Sequence, residues 1–194
     1  MKILKKRCLK FFIVGAAAMT MFACGPSQPE TEIVTGQSSL SASSASSAYG
    51  KLLGRKAVSE AAGRTRGGGL CYESVWKAMK RAQLQMFGND IEDSAAPATS
   101  AYQFGDYARQ PSAKKDLNQN LGLKLASHKD ISRAPIGSVI VWKRGGCGFS
   151  SVHGHIEIKS SSSASSSTYL CSDFCRPARG CGSGGISAIL EPYK

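Results

Sequence analysis

The stretch Gly67-Gly68-Gly69-Leu70-Cys71-Tyr72-Glu73-Ser74-Val75-Trp76, running on to Met86-Phe87-Gly88-Asn89, decides how this chain is read. Cys71, Val75, Ala78, Ala82 and Met86 recur at three- and four-residue steps, so they share one face of a helix that opens at Cys71. Trp76 and Met79 flank that stripe, whereas Lys77, Lys80 and Arg81 fall toward water. Gly88-Asn89 ends the helix. The cysteine thus stands on the apolar side of a helix N-terminus, where backbone N–H groups lack partners. At such a position the helix dipole and a nearby imidazolium both favour a thiolate.

Downstream the pattern changes period. Val139-Ile140-Val141-Trp142 is a near-continuous apolar run after Gly137, and Gly154-His155-Ile156-Glu157-Ile158-Lys159 alternates. A further strand covers Thr168 to Asp173. Between Ala95 and Asn120 lies a helical and loop region broken by Pro97 and Pro111, with Ser112 placed to cap a helix that stops at Gly122. Helices first and an antiparallel meander afterwards give an α+β fold. Alternation puts His155 and Glu157 on one face of their strand and Ile156 and Ile158 on the other. Pairing Lys159 with Thr168 across the serine-rich loop sets Ser172 opposite His155 and brings Asp173 beside it. Cys71, His155 and Asp173 are therefore the candidate nucleophile, base and orienting carboxylate, with Glu157 the alternative for the third role and Ser172 a weaker one. A lone cysteine on a helix face is usually packing, and a lone histidine is often only surface. It is their joint setting, a glycine run before the one and a glycine before the other, that points to chemistry. His153 reads as a loop residue in reach of a substrate and His128 as a solvent-exposed turn residue.

The chain begins with a basic segment, Lys2 to Lys10, followed by an apolar run, Phe11 to Ala23, too short to span a bilayer. This reads as a signal peptide over 1–23, then a flexible Ser/Ala-rich tether over 24–62 and a catalytic domain over 63–194. A short helix is expected from Gly50 to Ala62, at the end of that tether. Of seven cysteines, Cys8 leaves with the signal. Setting aside Cys24 and Cys71, four remain: Cys147, Cys171, Cys175 and Cys181. In an exported chain these imply two disulfides, in any of three pairings, over a four-thiolate zinc site whose spacing they fit poorly. The net charge is +12; removing the five basic residues of the signal leaves 20 basic against 13 acidic side chains, or +7. That balance suits an anionic wall polymer or membrane surface. Nucleic acid is not expected, since no basic stripe is interleaved with aromatics.

Three pieces in order, the helix C-Y-x-x-V-x-x-A, the strand G-S-V-I-V-W, and the pair G-H-I-E-I and S-D-F, resemble the NlpC-type and CHAP (cysteine, histidine-dependent amidohydrolase/peptidase) superfamily of papain-like folds. Met21-Phe22-Ala23-Cys24-Gly25 is similar to the lipobox of bacterial lipoproteins. The first resemblance covers roughly residues 67–174. It implies a cysteine-bearing helix packed on an antiparallel sheet, cleavage of amide bonds in peptidoglycan peptides, Cys71 as nucleophile, His155 as base, and Asp173 less securely as the third group. Glu157 departs from it, standing where many relatives carry a small residue. The second implies a lipid on Cys24 and an outer-membrane anchor facing the periplasm. No cofactor or metal is expected, and the chain is expected to be a monomer. The rival readings are a non-catalytic wall-binding lipoprotein on the same fold and a protein-directed cysteine protease or transamidase.

Overall fold

A computed structural model describes residues 46–92, 95–161, 168–178 and 181–193. The signal peptide, Cys8, Cys24 and the first part of the tether lie outside the described residues. The first element, α1 (Ala48–Ala61), starts where Ser47 accepts the Gly50 N–H at 3.0 Å. It is not part of a tether. Tyr49, Leu52, Leu53, Ala57 and Ala61 are buried in the main core, and the Tyr49 hydroxyl donates to Leu121 O at 2.8 Å. The folded unit therefore begins well before residue 63, because α1 supplies apolar surface that the later helices need. Gly50 makes this possible: a Cβ there would collide with the Ile136 carbonyl, and one at Gly137, whose φ is +88°, with the Gly50 backbone.

Three further helices follow: α2 (Cys71–Phe87), α3 (Ala101–Ala108) and α4 (Ala113–Gln119). The strands are β1 (Leu123–Leu125), β2 (Val139–Trp142), β3 (His155–Ser161), β4 (Thr168–Cys171), β5 (Cys175–Pro177) and β6 (Ile186–Pro192). They form one antiparallel sheet in the order β1-β6-β2-β3-β4-β5. The fold is α+β, as the order of periodicities implies. The sequence reading contains no β1, β5 or β6. Of these β6 matters most, for it lies beside β2 inside the sheet.

Helices cover one face. Val139 and Val141 of β2, Ile156 and Ile158 of β3, and Ala188 and Leu190 of β6 pack there with Leu53, Met79, Phe104 and Leu117. Ile140, Trp142, Leu170 and Ile189 occupy the other face, against Ala134, Phe149 and neighbouring loops. Burial on both faces explains why β2 is apolar at every position. On β3 the alternation holds: the isoleucines meet the helices, while Glu157 and Lys159 turn to the opposite layer. There the Lys159 ammonium donates to the carbonyls of Ile131, Ser132 and Ala134 at 2.7, 3.4 and 2.5 Å. Among the described residues no helix is long and apolar enough to cross a membrane.

Candidate active site

Cys71 is the first residue of α2 and the only cysteine outside a disulfide among the described residues. The helix has no side-chain cap of its own, since Leu70 occupies the N-cap position. The cap comes from far along the chain. Asp173 Oδ2 accepts the N–H groups of Gly68 at 2.7 Å and of Leu70 at 3.1 Å, and the Phe174 ring packs at Gly67. Those contacts fix the glycine loop that delivers the cysteine. Burial pushes the Asp173 carboxyl up, but hydrogen bonds from the N–H groups of Gly68 and Leu70, from the Ser172 hydroxyl and from its own N–H hold it below its ordinary value.

Asp173 is thereby corrected as the orienting carboxylate. β4 ends at Cys171, and the chain bends through Ser172 to Phe174 before β5, which carries Asp173 to the cysteine loop. The register also differs by two residues, with Lys159 opposite Leu170 and not Thr168. Among the described residues the carboxylate within ion-pair distance of His155 is Glu157, whose Oε1 lies 3.3 Å from Nε2. The contact is close but not aligned as a hydrogen bond, leaving buried Nε2 without a well-directed acceptor. In cysteine–histidine sites without substrate such bonds are often loose.

Glu157 is 0 % exposed and is held by two side chains. Arg176 on β5 grips it with both arms of the guanidinium, Nε to Oε1 and Nη2 to Oε2, each at 2.7 Å. The Trp142 indole N–H donates to Oε2 at 2.9 Å. Burial pushes the Glu157 carboxyl up, but the bonds and charges of His155 and Arg176 outweigh it and hold the group below its ordinary value. His155 is the first residue of β3, directly opposite Trp142. Phe149 stacks on its ring, centroids 4.0 Å apart and planes at 21°. Burial pulls the imidazole down. The Cys71 side chain first, then the nearby Glu157 carboxylate, reverse this and push it up to about 9. The imidazole, held toward its charged form, thus stands between the sulfur of Cys71 and the carboxylate of Glu157.

The four remaining described cysteines form two disulfides, Cys147–Cys181 and Cys171–Cys175. The first joins the β2–β3 loop, which carries Phe149, to the segment before β6. The second closes the β4–β5 hairpin and does not reach the C-terminal segment. Among the described residues no group of histidine, cysteine and acidic side chains is arranged to hold a metal. Of the other histidines, His153 is exposed, and its carbonyl accepts the Tyr102 N–H at 3.1 Å. His128 is not the solvent-exposed turn residue expected: it is half-buried, and its Nε2 lies 3.0 Å from Glu191 Oε1. Sequence reasoning missed Arg176, Trp142 and Phe149 as parts of the site. A signal existed for the first, since a glutamate due to be buried beside a histidine requires a counter-cation, and Arg176 directly follows Cys175. In comparisons with known proteins, no family model, curated protein or solved structure matches the chain.

Proposed function

We propose that this chain is an exported cysteine hydrolase of papain-like, NlpC/CHAP type, cutting amide bonds in peptidoglycan peptides. The observation that carries the reading is the line Cys71, His155 and buried Glu157, a thiol at a helix start, an imidazole and a fixed carboxylate. In the reaction the Cys71 sulfur, as the thiolate partner of the His155 imidazolium, attacks the amide carbonyl. The N–H of Cys71, at the open end of α2, faces the developing oxyanion. His155 gives its proton to the leaving amine, and a thioester forms on sulfur. His155, now neutral, takes a proton from water, hydroxide attacks the thioester, and the carboxylic acid product leaves with the thiolate restored. Glu157 keeps the imidazole in the tautomer and angle that both half-reactions need. The wall as substrate rests on the motif resemblance and on the exported, basic character of the sequence.

Purified protein incubated with cell-wall sacculi, with released muropeptides read by mass spectrometry, tests this. The wild type releases products whose new termini identify the amide cut, and Cys71→Ala releases none. Intact sacculi with folded protein and reduced Cys71 exclude the wall hydrolase and leave a binding lipoprotein or a protein-directed enzyme.

A further inference from the structure

Arg176 touches neither Cys71 nor His155 in any contact described above, yet it reaches the histidine by two routes. One runs through the carboxylate: the guanidinium fork takes one direction on each Glu157 oxygen and leaves Oε1 a free direction toward Nε2 of His155. The other runs through the ring stack, with Arg176 Cζ 5.1 Å from the centroid of Phe149, the ring that lies on the imidazole. Trp142 completes the enclosure, its ring centroid 5.9 Å from the same carbon. A counter-ion needed only to neutralise buried Glu157 has no reason to lie also against the histidine's stacking partner.

We propose that Arg176 is a positioning residue of this site, setting the plane and the effective charge of the carboxylate that orients His155, and that the Cys171–Cys175 loop aims it. The proposal rests on the cysteine-hydrolase reading and extends it. The loop is short and serves both halves of the site. Between its two cysteines stands Asp173, which holds the glycine loop of the nucleophile. Immediately after the second comes Arg176, paired with Leu170 across the hairpin. One closed turn thus fixes the approach of the thiol and the angle of the imidazole together.

The charge argument has a definite sign. The titratable groups facing His155 are Cys71 from α2 and Glu157 from β3, with Arg176 of β5 behind the carboxylate; Phe149 and Trp142 contribute uncharged rings. Removing the Arg176 cation exposes the imidazolium to the undivided charge of Glu157. The histidine then keeps its proton to higher pH and gives it up less readily to a leaving amine.

The test compares wild type, Arg176→Lys and Arg176→Gln by two readouts that need no substrate. One is the NMR titration of His155 in histidine-labelled protein, assigned among three histidines with His128→Gln and His153→Gln. The other is the pH-dependent rate of iodoacetamide labelling of Cys71, read on the tryptic peptide 67–77. Arg176→Gln is expected to raise the His155 midpoint by about one pH unit. Arg176→Lys, which keeps the charge but loses the fork, is expected to leave the midpoint in place and slow labelling of Cys71 about tenfold. Folded Arg176→Gln with a wild-type midpoint overturns the proposal. Should that variant not fold, Arg176→Lys decides, and labelling at the wild-type rate overturns it. A shifted midpoint in protein that leaves sacculi intact upholds the positioning role while the hydrolase reading fails; turnover with unmoved midpoint and labelling does the reverse.

Discussion

Glu157 and Asp173 divide the work that a single orienting acid was expected to do, and the division follows from what each can reach. Glu157 is two residues from His155 on the same face of β3, and its charge is offset by Arg176 in a dry layer. Glu157→Gln keeps the shape but removes the charge that holds the imidazolium. It is expected to bring the His155 midpoint down from about 9 and to lower kcat by roughly 10²–10⁴-fold, with NMR titration and muropeptide release as the checks. The same pair sets a stability profile. The folded midpoint of His155 lies above its ordinary 6.5, so its contribution is whole below pH 6.5 and is lost as the pH rises through about 9. Glu157 is held below its ordinary 4.5, so its contribution is whole above that pH and is lost as acid reaches the lowered midpoint. Thermal melts are therefore expected to show a plateau between about pH 4.5 and 6.5 with a decline on either side. His155→Gln flattens the alkaline decline; a decline of unchanged depth in that variant would assign it to another group.

At the scale of elements, the β4–β5 hairpin and α1 carry the load. Replacing Cys171 and Cys175 together by serine opens a small loop, at a cost of roughly 2 kcal/mol by loop-closure entropy, measured by urea denaturation. The functional loss is expected to exceed what that destabilisation explains, because Asp173 and Arg176 lose their common frame. Labelling of Cys71 at a temperature where the variant is fully folded separates the two effects. In α1, Gly50→Ala drives a methyl into the Ile136 carbonyl and is expected to cost about 1–3 kcal/mol. Strand register was only partly readable. The alternation of His155 to Lys159 tells which face each side chain takes, and a slip of two residues in β4 preserves those faces. It does not preserve which residue ends beside the histidine, and the serine-rich connection between β3 and β4 gives sequence reasoning nothing to count against.

Across the whole molecule, the class of fold could be read because α2 and β2 have strong, distinct periods. The places of Cys71 and His155 at the starts of α2 and β3 could be read because a glycine run comes before the one and a glycine before the other. What escaped depends on partners distant in sequence. Asp173 caps a helix that starts 103 residues before it, counted at Leu70. Arg176 finds its carboxylate only once β5 is laid beside β4. From sequence the helix over Gly50 to Ala62 reads as the end of a tether, although Leu52 and Leu53, with Tyr49 before them, are deep in the core. A chain cut to residues 63–194 is accordingly expected to lose cooperative unfolding, whereas one starting at Ser46 keeps it; calorimetry of the two pieces decides.

The seat of α1 has a mechanical consequence. A pull applied from the N-terminal side of residue 46 meets first the bond from the Ile136 N–H to the Ser46 hydroxyl, at 2.8 Å, and then the helix backbone pressed onto Gly137. Both anchor points stand at the entrance to β2, a strand with neighbours on either side. Load entering there is expected to pass into β2, which is paired with β3 and β6, and not into an edge strand.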